Sequence, residues 1–218
     1  MQIIIGGDLA PTNSNIDLFN TGDAAALLGE KLISIWNSAD MRIFNLEVPL
    51  TDEEESIAKH GPNLIAPTGT VKGIKALKPD LLTLANNHIL DQGEQGLRST
   101  MQLLTEHKIP FAGIGDDLCE AGNPFIAEYS GIRIGVYACA ENEFSIATKK
   151  SAGANPFDPL ESLDHVQKLK ANCNYVIVLY HGGKEHYRYP SPYLQKVCRK
   201  LAEKGADLVV CQHSHCIG

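Results

Sequence analysis

The sequence predicts an α/β fold, with mixed β-sheets flanked by helices in a layered arrangement. Short apolar runs rich in β-branched residues alternate with amphipathic stretches of helical length, a pattern typical of parallel or mixed sheets covered by helices. The 218 residues, 44% of them hydrophobic and 21% charged, suit one soluble globular domain, which we expect to span 1–218.

Each predicted element is bounded by local signals. The strands begin and end near Gly, Asp, Asn or Pro, and two helices open with a capping residue followed by proline, Asp158-Pro159 and Ser191-Pro192. Two apolar runs that meet at Gly131 predict an antiparallel hairpin over 123–140. The predicted strands are 2–6, 41–46, 81–85, 134–140, 175–180 and 207–212, and the predicted helices are 23–39, 69–78, 94–108, 158–173 and 191–205. The stretches 51–69 and 141–158 are predicted loops, long enough to serve as functional lids.

Composition and charge exclude several classes of function. A net charge of −7 argues against a nucleic-acid partner and against docking on an anionic membrane. The sequence contains no apolar run of membrane-spanning length and no basic, apolar leader at its start, so a cytoplasmic protein is predicted unless a leader precedes Met1. The six cysteines form no regular framework and are predicted to be reduced, mostly buried thiols.

Polar side chains follow five of the predicted strands. In open α/β sheets, ligands bind outside the carboxyl ends of the strands, so we expect these side chains to gather at one sheet edge. Carboxylates, carboxamides and imidazoles spread over several loops suit two adjacent divalent metals, with Mn, Fe or Zn as candidates. The residues are Asp8, Asn45, Glu47, Asn86, Asn87, His88, Asp91, His181, Glu185, His186, His213 and His215.

Five motifs, in this order, cover nearly the whole chain: GGDLAPT, NLEVPLT, LANNHILDQGEQGLRST, GIGDD and HGGKEHYRYPSPYLQKVCRKLAEKGADLVVCQHSH. Together they resemble the calcineurin-like metallophosphoesterases, and within them the CapA family tied to capsule and poly-γ-glutamate synthesis. The resemblance implies a metallophosphoesterase-like layered fold and a two-metal centre. It also implies that the chain stops before strands that complete the sheet, so we expect either a truncated chain or an exposed sheet edge near Gly218.

The resemblance also implies a role for each matching position. Asp8 and His215 would bind the first metal, Glu47 would bridge, and the second metal would take Asn87, His181 and His213. His88 would be the general acid, and Asp91 and Glu185 would orient imidazoles by accepting their second N–H. Asn45 stands beside Glu47, while His186 and Arg188 could line a pocket for an anionic or glycan-like substrate; a solvated loop is the equal alternative.

Two positions depart from the wider superfamily pattern and match the CapA branch. Ala10 occupies the third position of the usual Asp-x-His motif, so the first metal lacks one nitrogen ligand. Glu47 replaces the usual bridging aspartate with a longer side chain.

Three functional hypotheses follow. The first is a metal-dependent phosphoesterase acting in capsule, polysaccharide or poly-γ-glutamate synthesis, with a metal-bound hydroxide as nucleophile and His88 as acid. The second is a non-catalytic accessory of polymer synthesis that binds a polyanion, a glycan or a partner enzyme. The third, a zinc module of Cys211, His213, His215 and Cys216, is sterically poor because all four ligands come from six consecutive residues.

Overall fold

Two four-stranded sheets carry the predicted strands. The computed structural model describes residues 1–141 and 144–217. It contains two units, the first formed by 1–83 and 88–111 and the second by 84–87 and 112 onward. Asn142, Glu143 and Gly218 lie outside the described residues, and with them part of the predicted loop 141–158 and the expectation about the chain end. The single domain over 1–218 stays a prediction.

The first sheet has the order β1-β2-β3-β4, and its pairs β1–β2 and β2–β3 are parallel, as predicted. Strand β2, one of the two inner strands, is almost entirely buried, which accounts for the nearly continuous apolar run in its sequence. The strands are β1 (Ile3–Leu9), β2 (Met41–Leu46), β3 (Leu81–Thr83) and β4 (Phe111–Ala112).

The helices of the first unit follow the prediction with two corrections, a break in one predicted helix and one additional helix. The predicted helix 23–39 is two helices, because Gly29 adopts a left-handed φ of 76° that ends one and starts the next. Asp23 caps the first of them by accepting from the backbone N–H of Ala25 and Ala26. The helices are α1 (Ile16–Thr21), which the sequence did not predict, α2 (Ala24–Leu28), α3 (Glu30–Asn37), α4 (Val71–Ala76) and α5 (Gly93–Glu106).

The second sheet has the order β10-β9-β7-β6, with parallel pairs β7–β9 and β9–β10. The hairpin is confirmed, because β6 and β7 are antiparallel and their turn places Ser130 and Gly131 at φ 51° and 79°. The strands are β6 (Phe125–Tyr129), β7 (Ile132–Ala140), β9 (Tyr175–His181) and β10 (Leu208–Gln212). A separate antiparallel pair joins β5 (Ile114–Gly115) to β8 (Gly153–Ala154). Of these two short strands, β8 lies inside the predicted loop 141–158.

Three helices belong to the second unit. Ser191 caps the last of them by accepting from the N–H of Leu194 at 3.1 Å, with Pro192 in the first turn as predicted. The helix predicted from Asp158 begins four residues later, because Asp158 accepts from the N–H of Leu160 in a preceding turn. The helices are α6 (Leu118–Ala121), α7 (Ser162–Asn172) and α8 (Pro192–Glu203).

The expectation that all five polar strand ends lie at one sheet edge is wrong. The ends of β1, β2 and β3 belong to the first sheet, whereas those of β9 and β10 belong to the second. Apolar runs reveal where strands lie but not which strands pair, so the sequence did not separate the two sheets. Within the described ranges, no helix is long and apolar enough to cross a membrane.

Candidate metal centre

In the first unit, the parallel strands β1 and β2 place two polar side chains next to each other. The register between them shifts between Ile5 and Asp8, a bulge that brings Asp8 opposite Asn45. The side-chain amide of Asn45 donates a hydrogen bond of 2.8 Å to Asp8 Oδ1. Asn45 therefore fixes the orientation of the Asp8 carboxylate.

Glu47 follows the end of β2 and is held in place through its backbone. Its N–H donates to the carbonyl of Leu9 at 3.0 Å, and only 3% of the residue is exposed. One of its carboxylate oxygens lies within 4.8 Å of a carboxylate oxygen of Asp8. Two carboxylate groups so close together repel each other, and a cation bound between their oxygens removes that repulsion. Asp8 and Glu47 therefore form a set of oxygen ligands suited to a divalent cation.

The turn after β3 brings His88 and Asp91 together. Their backbones are joined by a hydrogen bond of 2.9 Å from the Asp91 N–H to the His88 carbonyl. His88 Nδ1 lies 2.6 Å from Asp91 Oδ2, and the Leu64 N–H donates to the same oxygen at 2.6 Å. A carboxylate oxygen only accepts, so Nδ1 carries the proton of this contact and Nε2 is the ring nitrogen left to exchange a proton.

In the second unit, the side chain of Asn87, at the end of segment 84–87, contacts that of His181, at the end of β9. Asn87 Oδ1 lies 2.9 Å from His181 Nε2, at the carboxyl end of β9. A ring nitrogen of His213 lies within 4.8 Å of one of His181, and the two ring centroids are 5.0 Å apart. These three predicted ligands of the second metal therefore lie together in one unit.

The turn after β10 has a strained backbone. His213 and His215 have φ values of 94° and 51°, and His186 in the turn after β9 has 59°. Positive φ is uncommon for residues other than glycine, and such strain clusters at functional sites. The His186 N–H donates to the Ser214 carbonyl at 2.8 Å, which ties the two turns together. His213 and His215 have ring centroids 6.1 Å apart.

Two other predicted positions lie in the same unit with looser contacts. Glu185 Oε1 is 3.9 Å from His213 Nε2, which is longer than a hydrogen bond. Arg188 lines a cavity of about 440 Å³ together with Tyr187 and Tyr189. His186 is not among the residues that line this cavity, and Tyr187 and Tyr189 are exposed. The substrate pocket around His186 and Arg188 therefore stays a prediction, as does the alternative of a solvated loop.

Sequence reasoning missed two charged residues. Glu141 directly follows β7, so the rule that identified the other strand ends would have found it. It accepts from the Tyr180 hydroxyl at 2.9 Å and from the Gly183 N–H at 3.1 Å. Desolvation, and then the bond to Glu141, raises the pKa of Tyr180, so its hydroxyl remains a donor. The second is Lys59, whose ammonium contacts Asp91 Oδ1; no local pattern marks it.

The cysteines near the chain end do not form a zinc module with the histidines. Cys211 Sγ lies 3.5 Å from Cys198 Sγ on α8. All six cysteines are free thiols, but the expectation that most are buried is wrong, because only Cys139 and Cys173 are buried. Desolvation raises the pKa of Cys211, which disfavours the thiolate that zinc requires. Among residues 1–141 and 144–217, no cysteine belongs to a close group of three or more potential metal-ligating side chains.

Two Bacillus proteins are similar to this chain. It is 29% identical over 180 residues to the capsule biosynthesis protein CapA of Bacillus anthracis, covering 78% of this chain and 44% of the relative. It is 25% identical over 185 residues to the PGA biosynthesis protein CapA of Bacillus subtilis, covering 83% and 49%. The chain thus spans about half the length of these relatives.

A third relative, from Mycobacterium tuberculosis, is named "Probable polyglutamine synthesis accessory protein". It is 37% identical over 94 residues, which is 43% of this chain and 25% of the relative.

Solved structures share the fold at low sequence identity. A novel phosphatase from Mycoplasma pneumoniae superposes with a TM-score of 0.56 and 16% identity, over 98% of this chain and 64% of that one. A 5'-nucleotidase precursor from Thermus thermophilus gives a TM-score of 0.51 and 18% identity, over 84% and 34%. These matches confirm the predicted layered α/β fold.

The family comparison covers both units. The sequence model of the family described as bacterial capsule synthesis protein PGA_cap matches residues 2–218 of this chain. The chain therefore belongs to the PGA_cap family of bacterial capsule synthesis proteins, which confirms its resemblance to the CapA family.

Proposed function

We propose that this chain is a metal-dependent phosphoesterase that acts in capsule or poly-γ-glutamate synthesis. Its proposed substrates are small molecules or polymers that carry phosphate or other anionic groups. The observation that carries the proposal is the buried His88–Asp91 pair, 2.6 Å apart, because a protein that only binds a polymer does not need an imidazole oriented for proton transfer.

The available side chains fit two divalent metals. Asp8 and Glu47 offer carboxylate oxygens within 4.8 Å of each other in the first unit. In the second unit, His181 Nε2 lies 2.9 Å from Asn87 Oδ1. If Nε2 carries no proton, two lone pairs face each other, so this contact needs either a proton on Nε2 or a metal cation. The mixed oxygen and nitrogen donors suit Mn, Fe or Zn. We propose that Asn87, His181 and His213 hold one metal and that Asp8 and Glu47 hold the other.

Bound there, the two metals would supply Lewis acidity and an activated water. The chain's own residues would do the rest. His88 would protonate the leaving oxygen from Nε2, while Asp91 would hold the ring through Nδ1. Asn45 would keep the Asp8 carboxylate oriented through its amide bond. Arg188, in the cavity beside Tyr187 and Tyr189, would attract the anionic substrate.

The second candidate is a non-catalytic accessory of polymer synthesis, which would bind a polyanionic or glycan chain or a biosynthetic partner enzyme. Ala10 favours this candidate, because the wider superfamily has a nitrogen ligand at that position and the first metal is expected to bind more weakly without it. The mycobacterial relative, which is named as an accessory protein, also favours it.

Metal analysis combined with a hydrolysis assay separates the two candidates. Protein purified with Mn²⁺ and then dialysed should retain about two metals per chain by elemental analysis. It should hydrolyse p-nitrophenyl phosphate or bis(p-nitrophenyl) phosphate, lose that activity with a chelator and regain it with Mn²⁺. Protein that retains no metal and hydrolyses neither ester, yet binds poly-γ-glutamate, would contradict the phosphoesterase and support the accessory.

A further inference from the structure

Lys59, in the predicted loop 51–69, has an unusual environment for a lysine. Its side chain is 2% exposed, and the Asp91 side chain that it contacts is 0% exposed. Lysine and aspartate are rarely buried unless they are paired, because removing either charge from water is costly. The pair thus occupies a protected position directly beside His88.

The contacts at Asp91 divide between its two oxygens. Oδ1 faces the Lys59 ammonium, whereas Oδ2 accepts from His88 Nδ1 and from the Leu64 N–H, each at 2.6 Å. Lys59 Nζ also lies 3.3 Å from His88 Nδ1. Because Nδ1 donates to Asp91, it has no lone pair to accept from the ammonium. Lys59 therefore acts on His88 through the carboxylate.

The segment around Lys59 is bound to the turn that carries Asp91. The Ile57 N–H donates to the Asp91 carbonyl at 3.1 Å. The side chain of Gln92 accepts from the Glu55 N–H at 2.8 Å and donates to the Leu64 carbonyl at 3.1 Å. These bonds hold the loop on both sides of Lys59, so the ammonium has a fixed position. A reactive group such as the His88 imidazole needs neighbours with fixed positions, because they hold it in its productive orientation.

We propose that Lys59 is a positioning residue for the His88–Asp91 pair. Its charge compensates the buried Asp91 carboxylate and holds that carboxylate against Nδ1. His88 then keeps one tautomer and one ring orientation, with Nε2 available for proton transfer. The inference rests on the proposed function, because it assigns a role to a residue that supports the proposed acid.

The test uses nitrogen NMR of histidine at one fixed pH on metal-free protein labelled with ¹⁵N-histidine. The parent should show a single tautomer of His88 with the proton on Nδ1. Lys59→Met should broaden or shift that Nδ1–H signal and mix the tautomers, whereas Lys59→Arg, which keeps the charge, should retain most of the parent pattern. Lys31→Met, at an exposed lysine of α3, is the matched control and should leave the spectrum unchanged. A parent-like His88 spectrum in Lys59→Met would overturn the proposal.

Kinetics provide the second measurement. Lys59→Met should lower kcat for a phosphate ester about 10-fold or more with KM nearly unchanged, and Lys59→Arg should recover part of the loss. If Lys59→Met does not fold, Lys59→Gln retains a donor to Asp91 without the charge and should show the same direction of change. Loss of thermal stability alone, with kcat and the His88 spectrum unaltered, would contradict a positioning role. An inactive parent that still shows the Lys59-dependent spectrum would refute the phosphoesterase but not the contact.

Discussion

Replacing His88 with alanine is expected to reduce kcat by roughly 10²- to 10⁴-fold, the usual contribution of a positioned general acid. The loss should depend on the leaving group. A p-nitrophenolate ion leaves readily without a proton, whereas an alkoxide does not. His88→Ala should therefore impair hydrolysis of an alkyl phosphate far more than hydrolysis of p-nitrophenyl phosphate. Steady-state assays of both substrates measure this difference.

The metal content of His88→Ala shows whether His88 acts as an acid or binds a metal. His88→Ala should retain the parent's metal content, because His88 is not a proposed ligand. His107→Ala, at the C-terminal end of α5, is the matched control and should leave both kcat and metal content near the parent values. Full activity of His88→Ala on every substrate that the parent cleaves would show that the acid role is wrong.

The second large effect is expected for His213→Ala. His213 lies with His181 and Asn87 in the proposed site of the second metal. Replacing it with alanine removes one of the two imidazole nitrogens that would bind this metal. Loss of a ligand should cost more than the roughly 10- to 100-fold in metal affinity that loss of an outer hydrogen-bond partner costs. Elemental analysis should then give about one metal per chain instead of about two, with hydrolysis reduced accordingly.

Backbone strain does not confuse this comparison. Both histidine and alanine carry a Cβ, so the positive φ of 94° at position 213 is unfavourable in the parent and in the variant alike. His186→Ala changes another histidine with positive φ, in the turn after β9, and should retain both metals. Equal metal content in His213→Ala and the parent would remove His213 from the ligand set.

Most of the sheet framework could be predicted from the sequence because buried strands have a strong local signal. The runs 41–46, 134–140 and 175–180 are mostly apolar, and they form most or all of β2, β7 and β9. Strand order was not predictable in the same way, because it depends on long-range pairing. The break at Gly29 was missed since apolar residues continue with helical spacing on both sides of it.

The positions after strands identified most residues of the candidate site, and the family resemblance assigned their roles. It predicted Asn87 and His181 as ligands of one metal; their side chains lie 2.9 Å apart, and metal binding by them stays a prediction. The pairing of His88 with Asp91 depends only on a turn, so its spacing in the sequence was informative. Lys59 was missed because its partner Asp91 comes from a distant part of the chain. A lysine that follows several acidic residues usually lies in solvent, so only the fold reveals its burial.

Crystals grown with Mn²⁺ offer the most direct test of the proposed metal centre, through an anomalous difference map recorded above the manganese absorption edge. The account predicts one peak bound by Asn87, His181 and His213 and a second bound by Asp8 and Glu47. A fully ordered map with no anomalous peak at these side chains, from protein that hydrolyses phosphate esters with Mn²⁺, would contradict it.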